Sequence, residues 1–266
     1  MGSAPAPAAP ADAATRTVAV TVPDWPLLAA LDRHQRRTED APALDPAAAP
    51  VILLDQHRVT HAGAAAREAG VLPGMKRRAA RAACPEALVL EVDGEHESAL
   101  FELVAAAVDT VAAGVDVLRP GVLLMSARGP ARHQGGEEAL AERILDAVAE
   151  LTGWDCAVGI ADGPFAALLA SPPGRIVREG RSAEYLAPHP IQALLSAPVG
   201  PGWGHRGQPS ATRPERRLDL AETVVDLAER VKVPTVLPVI AMVGEDVMPE
   251  AMLLDHGEAL PLRFSA

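Results

Sequence analysis

Four basic residues, Lys76, Arg77, Arg78 and Arg81, form the cluster in this sequence whose spacing points most directly to binding chemistry. They fall in a predicted helix, where they would share one face and contact the phosphate groups of nucleic acid. Contacts of that kind give binding that is independent of base sequence and sensitive to salt. An ordinary solvated helix face explains the same residues equally well. No aromatic residue accompanies the cluster, so stacking on single-stranded bases is not expected.

The cysteine and histidine residues do not suggest a catalytic or metal site. Cys84 and Cys156 are far apart and fit neither a zinc-binding spacing nor a disulfide framework. This usage favours a reducing cytoplasm, and we expect both to be small buried hydrophobic residues. His57 and His61 flank a predicted strand pair and are expected at the surface, not as ligands.

The charge is distributed unevenly along the chain. The formal net charge of −11 argues against a protein that grips nucleic acid with its whole surface. Residues 51–90 nevertheless carry six basic against three acidic residues, whereas residues 218–260 carry nine acidic against two basic ones. Any contact with nucleic acid is therefore expected in the first of these regions.

The periodicity of apolar residues predicts an α+β fold. Leaving out residues 51–92, the predicted order of elements is strand, helix, helix, two strands, helix, strand and helix. That order is typical of a ferredoxin-like split βαβ core with a largely helical insertion after its first helix. The predicted strands cover residues 17–22, 51–54, 58–61, 87–92, 115–118, 122–126 and 155–161, and the predicted helices cover residues 26–36, 62–69, 74–83, 95–112, 137–151 and 164–170.

The ends of the chain have a different character from this core. Residues 1–16 are rich in Ala and Pro and are predicted to be a disordered leader, without the features of a secretion signal. Residues 196–217 are rich in Gly and Pro and are predicted to be a linker. Residues 218–266 contain a predicted helix and an exposed tail, but no fold can be assigned to them. No apolar run approaches the roughly 20 residues needed to cross a bilayer, so no membrane contact is expected.

Six short motifs occur in an order that resembles Y-family (UmuC-like) translesion DNA polymerases, specifically the ImuB-type branch. They are residues 20–26 (VTVPDWP), 61–75 (HAGAAAREAGVLPGM), 83–86 (ACPE), 115–120 (VDVLRP), 158–166 (VGIADGPFA) and 181–188 (RSAEYLAP). The resemblance implies a palm and fingers within residues 17–195, with the fingers at about residues 51–92. The thumb and little finger expected next are not recognisable, so the resemblance ends after the palm and fingers. A drastic shortening of the segment after residue 195, or a frameshift in the gene, would explain this.

The resemblance also implies where the metal-binding carboxylates of the family would lie. It matches Thr21 to the first acidic position and Gly121 and Val122 to an adjacent acidic pair. Two-metal nucleotidyl transfer needs carboxylate oxygens at such positions, so we expect no catalytic residue and no metal cofactor. Asp24 and Asp116 are the nearest spare acids, and they are expected to lie too far apart to replace the lost set. Arg67 matches a family arginine that contacts the incoming triphosphate, although a solvated helix arginine is the simpler interpretation.

The C-terminal tail is similar to the short motif by which bacterial polymerases bind the sliding clamp. Leu260, Pro261, Leu262 and Phe264 would supply its extended apolar anchors. The usual leading glutamine is replaced by Ala259, and a chance match in an apolar sequence is the alternative interpretation.

The resulting expectation is a non-catalytic adaptor in DNA damage-induced translesion synthesis, located in the cytoplasm. Its expected partners are the sliding clamp, a replicative-type error-prone polymerase and a RecA-like protein, with weak non-specific binding of DNA. One alternative is a minimal DNA polymerase that holds Mg²⁺ through unconventional ligands. Another is a remnant without a retained role.

Overall fold

A computed structural model describes residues 15–38, 44, 48–190 and 193 of the chain. The elements, in chain order, are strand β1 (Arg16–Thr21), helix α1 (Trp25–Arg37), strands β2 (Val51–Asp55) and β3 (Arg58–Ala62), helices α2 (Ala64–Glu68) and α3 (Arg77–Ala83), strand β4 (Leu88–Glu91), helix α4 (Gly94–Asp109), strands β5 (Asp116–Arg119) and β6 (Val122–Ser126), helices α5 (Arg128–Gln134) and α6 (Glu137–Thr152), strand β7 (Ala157–Asp162), and helices α7 (Pro164–Ala170) and α8 (Ser182–Leu186). The predicted leader, linker and C-terminal segment lie outside the described residues, apart from the last positions of the leader.

The first sheet has the strand order β5-β6-β1-β7, and every pairing that involves β6 or β1 is antiparallel. This order is that of the predicted ferredoxin-like core, so the prediction of an α+β fold is confirmed. One face of the sheet presents apolar side chains to α4 and α6 and forms the main core. It includes Val18, Val20, Leu123, Met125 and Ile160 of the sheet, with Phe101, Val104, Ile144 and Val148 of the helices.

The opposite face of this sheet is covered by α7. Gly159 in β7 makes this possible, because a Cβ atom at this position would collide with the backbone of Ala167 and Ser171. The helix begins at Pro164, where a missing N–H has no consequence, and Phe165 and Leu168 are its largest fully buried side chains. The predicted bounds of α7 agree with the structure because sequence signals mark its start.

The insertion between α1 and α4 forms a second, smaller sheet with the order β3-β2-β4. Strands β2 and β3 form an antiparallel hairpin whose turn residues, Gln56 and His57, both have left-handed backbone conformations (φ of 44° and 71°). Helices α2 and α3 pack on this sheet through Ala66 and Ala80. The insertion, which was predicted to be largely helical, thus contains as much strand as helix.

Helix α1 connects the two sheets. Trp25 and Ala29 belong to the core of the first sheet, whereas Leu27 and Leu31 pack against Val51 and Leu53 of the second. Within the described residues, none of the helices is both long enough and apolar enough to cross a membrane.

A buried ion-pair network holds the start of β1. The guanidinium of Arg16 is only 3% exposed and binds both carboxylate oxygens of Glu137, at 2.7 and 2.6 Å. It also donates to Asp162 at 3.2 Å and to the carbonyl of Val177. The hydrogen bond and charge of Glu137, helped by Asp162, raise the pKa of Arg16. The network joins β1 to the first turn of α6 and the end of β7.

Candidate functional site

The three positions matched to metal-binding carboxylates lie side by side in the first sheet. Thr21, the last residue of β1, is directly opposite Val122, the first residue of β6. The carbonyl of Gly121 accepts a hydrogen bond of 2.9 Å from the backbone N–H of Val22, which extends the same ladder. We call Thr21, Gly121 and Val122 the central cluster. Strand pairing brings together residues that are separated by a hundred positions in the sequence.

The space in front of Gly121 is filled by Trp25. Gly121 has a left-handed backbone (φ +88°), and a Cβ atom placed on it would lie 2.8 Å from the Cβ of Trp25. Trp25 is 1% exposed and makes edge-to-face contacts with Phe101 and Trp154, with ring centroids 5.1 and 5.0 Å apart. A carboxylate side chain at position 121 would therefore require the core to move.

The other two members of the central cluster are also part of the packed interior. Thr21 is 5% exposed and Val122 is 2% exposed. The hydroxyl of Thr21 lies 2.8 Å from that of Ser171, and Ser171 in turn donates to the carbonyl of Ala157 at 2.9 Å. Since Ser171 uses its proton on Ala157, Thr21 is the donor between the two hydroxyls. The cluster is neutral, closed and internally satisfied, so its residues do not fit a divalent cation.

A partly buried cation lies next to the central cluster. Arg119, at the end of β5, pairs with Val122 across the β5–β6 ladder. Burial lowers the pKa of Arg119 to about 10, against the opposing effect of the Glu97 carboxylate. The side chain therefore keeps its positive charge at neutral pH. Its charge repels any cation that approaches this corner of the sheet.

The spare acids do not converge on the central cluster. Asp116 lies on the edge strand β5, opposite Leu124, two strands from Thr21 and two residues further along. Standard strand dimensions put the Cα atoms of Asp116 and Thr21 roughly 12 Å apart. Asp24 follows the end of β1 in a left-handed conformation and forms an ion pair of 3.6 Å with Arg67. Among the residues described, no group of three His, Cys, Asp or Glu side chains is arranged to hold a metal ion.

The structure separates Arg67 from the other predicted phosphate-binding residues. Arg67, on α2, donates to the carbonyl of Ala62 at the end of β3 and is about half exposed. Lys76, Arg77, Arg78 and Arg81 lie near Arg58, at the opposite end of that strand. The five residues therefore lie at two separate sites.

The second of these sites is an open groove between the β2–β3 turn and α3. It has a volume of about 570 Å³ and is lined by Gln56, His57, Arg58, Lys76, Arg77, Arg78 and Arg81. We call it the basic groove. The sequence cluster identifies four of its residues, but Arg58 and His57 join it only because the hairpin folds back onto α3. The three residues between the two predicted strands, 55–57, are the signal that would have located this turn.

His61 lies on β3, away from the basic groove. Burial lowers its pKa, while the charge of Asp24 raises it and that of Arg119 lowers it further. It is half-buried, in contrast to the expected surface position. Cys84 is fully buried, as predicted, and Cys156 is partly buried, with its pKa raised to about 12 by burial. The clamp-like residues Leu260, Pro261, Leu262 and Phe264 lie outside the described residues.

Comparison with known proteins gives both a sequence family and a fold. The family model described as impB/mucB/samB matches residues 35–172, which is more than half of the chain. The DinB crystal structure from Sulfolobus solfataricus matches with a TM-score of 0.58 and 14% identity, covering 85% of this chain and 60% of that one. An insertion ternary complex of Dbh DNA polymerase matches with a TM-score of 0.57 and 14% identity, covering 90% and 66% respectively.

At such identities these structures show the fold alone, that of a Y-family polymerase palm and fingers. The chain spans about 60% of the length of the DinB protein that it resembles. No curated protein sequence gives a significant match.

Proposed function

The chain belongs to the impB/mucB/samB family, and from this premise we propose that it is a non-catalytic adaptor in DNA damage-induced translesion synthesis. In this role the palm and fingers act as a scaffold for other proteins at damaged DNA, in the manner of the ImuB-type branch. The partners proposed are the sliding clamp, a replicative-type error-prone polymerase and a RecA-like protein.

The observation that carries the proposal is the neutral, filled central cluster. Nucleotidyl transfer by two metals requires anionic oxygens that hold two cations about 4 Å apart. Thr21, Gly121 and Val122 supply no carboxylate, Trp25 occupies the space in front of Gly121, and Arg119 adds a positive charge. The scaffold around this position is nevertheless intact, which favours a retained structural role.

Primer extension tests the non-catalytic part of the proposal. We expect the purified chain to incorporate no nucleotide with Mg²⁺ or Mn²⁺ on a primed template. Incorporation that is lost in Asp24→Ala or Asp116→Ala variants would refute the proposal. That result would favour the alternative of a polymerase with unconventional ligands, which also predicts measurable Mn²⁺ binding by calorimetry.

Co-purification tests the adaptor part. The full chain is expected to retain the sliding clamp or the error-prone polymerase from a mixture of purified proteins, whereas a remnant without a role retains neither. Deletion of residues 259–266 is expected to abolish retention of the clamp but not that of the polymerase. An Arg263→Ala variant, which leaves the apolar anchors in place, is the matched control. Clamp retention that survives the deletion would eliminate the tail as the docking segment.

A further inference from the structure

The basic groove concentrates positive charge in a protein that is strongly acidic overall. Five of its seven lining residues carry a full positive charge, and all seven are exposed. Within the described part of the chain, the acidic partner of these cations is Glu91, which lies 3.9 Å from Arg77 with both side chains about half exposed. An exposed pair at that distance is weak, so most of the positive charge remains available to an anionic partner.

The backbone that carries these cations is held in place by its own hydrogen bonds. The N–H of Arg77 donates to the carbonyl of His57 at 3.0 Å, and that of Val59 donates to the carbonyl of Met75 at 2.8 Å. Successive residues of a helix are about 100° apart, so the three arginines of α3 lie within an arc of about 100°. Because this frame is fixed before a partner binds, ordering it adds little to the free-energy cost of binding.

Residues 245–258, which follow the described part of the chain, carry charge of the opposite sign. We call this stretch the acidic segment. It contains neither Lys nor Arg, and its five acidic residues are Glu245, Asp246, Glu250, Asp255 and Glu258. Residues 213–232, by contrast, contain five acidic and five basic residues and are electrically balanced. Of these two charged stretches, the acidic segment is therefore the one that complements the groove, and its carboxylates equal the cations of the groove in number.

The chain is long enough for the acidic segment to reach the basic groove. The segment begins about 50 positions after residue 193, the last that the structure describes. At roughly 3.5 Å per residue, that length of chain can span about 170 Å. A compact body of the described size has an expected radius of gyration of only about 15 Å. Reach is therefore not limiting, and a tether of this kind gives the segment an effective concentration on the order of millimolar at the groove.

We propose that the acidic segment docks on the basic groove of the same chain. The segment matches the groove in the sign and number of its charges, and its covalent tether brings the two together. Each contact is an exposed ion pair and weak by itself, but several pairs on one tether act together. The docked segment shields the groove, so an external polyanion reaches the cations only by displacing it. The proposal does not depend on the adaptor function.

Zero-length cross-linking with a carbodiimide tests this contact in the full chain, because the reagent joins an amine to a carboxylate only where the two touch. Lys76 is the probe, since it lines the groove and the chain has only one other lysine, Lys232. We expect mass spectrometry to find Lys76 joined to carboxylates of the acidic segment at low salt. An equimolar mixture of unlabelled and isotope-labelled chains distinguishes links within a chain from links between chains. The yield is expected to fall towards 1 M salt, where the screening length is only about 3 Å.

The double variant Arg78→Glu/Arg81→Glu keeps the probe and reverses two charges of the groove. We expect it to lower the yield of links from Lys76 to the acidic segment at least about fivefold at low salt. Adding Asp246→Arg/Glu250→Arg to that variant reverses two charges of the acidic segment as well. This combination is expected to restore much of the yield, because opposite charges again face each other.

The matched control is Arg132→Glu/Arg143→Glu, which makes the same change in net charge at exposed positions on α5 and α6 and is expected to leave the yield within about twofold. We expect all of these variants to keep the thermal midpoint of the parent chain. Absence of links between Lys76 and the acidic segment at low salt would overturn the proposal, as would a yield in the parent chain that does not change with salt. Equal yields in the parent and in Arg78→Glu/Arg81→Glu would also overturn it, since the links would then report random collisions. Links found only between two chains would overturn the assignment of the segment to its own groove.

Discussion

The central cluster and the basic groove differ in the charge and the solvent exposure of their residues. At the cluster, strand pairing and Trp25 enclose neutral residues, and the neighbouring Arg119 is desolvated. At the groove, five cations stay in solvent on a frame held by backbone hydrogen bonds. Buried carboxylates without their metals would repel one another and destabilise the sheet, whereas exposed cations cost almost nothing. The groove therefore carries its charge in solvent, whereas the three residues of the cluster carry no charge at all.

The largest expected effect comes from returning a carboxylate to the central cluster. Gly121→Asp introduces a Cβ into contact with Trp25 on a left-handed backbone and buries a charge. We expect it to lower the free energy of unfolding by roughly 3 to 5 kcal/mol, measured by urea denaturation.

Gly135→Asp is the matched control for this substitution. Gly135 has a similar backbone (φ +90°) but no neighbouring atom within 4 Å of an added Cβ. Only the conformational cost of about 1 to 2 kcal/mol is expected there. Equal losses of unfolding free energy in the two variants would show that Trp25 does not fill the space beside Gly121. The description of the central cluster as closed would then be wrong.

A second substitution measures how much a buried charge stabilises the same sheet when its partners are present. Arg16→Met keeps most of the side-chain length but leaves Glu137 and Asp162 without their shared cation. We expect a loss of about 3 kcal/mol in the same measurement. The exposed pair Arg128–Glu179 is the control, and Arg128→Met is expected to lose less than about 1 kcal/mol. A neutral Arg16→Met would contradict the view that the network stabilises β1.

A pH titration compares the half-buried His61 with exposed histidines. Because burial lowers the pKa of His61 in the folded chain, the unfolded chain binds the proton more readily below its ordinary pKa of about 6.5. Stability is therefore expected to fall as the pH is lowered from about 6.5, by at most about 1.4 kcal/mol per pH unit for this one group. His61→Gln should flatten that part of the profile, while His133→Gln, at an exposed position, should not. Identical profiles for the parent and both variants would refute this assignment.

The fold could be predicted from the sequence where local signals agree with the tertiary structure. The regular spacing of apolar residues in α4 and α6, and the proline at the start of α7, gave elements within a few residues of those observed. Helix α5 was missed because Gly129 and Pro130 stand in its first turn, where they do less harm than in a helix interior. Helix α8 has only five residues and too little periodicity to be recognised.

The candidate site could be predicted only in part, because much of it depends on contacts between distant residues. Motif matching selected Thr21, Gly121 and Val122, which strand pairing brings together. Nothing in the local sequence shows that Trp25 packs over Gly121 or that Ser171 accepts from Thr21. The separation of Arg67 from the basic groove likewise depends on which end of β3 each residue approaches.

The smallest expected effect tests whether Thr21 has become an ordinary core residue. Thr21→Val keeps the shape of the side chain and removes only the donor to Ser171, which retains its own bond to Ala157. We therefore expect a loss of about 1 kcal/mol on urea denaturation. Thr21→Asp, which places a carboxylate in the same buried space, is expected to lose more than Thr21→Val and to gain no affinity for Mn²⁺. If Thr21→Asp were as stable as the parent chain and bound Mn²⁺, the cluster would be open to solvent and cations, and its contrast with the basic groove would disappear.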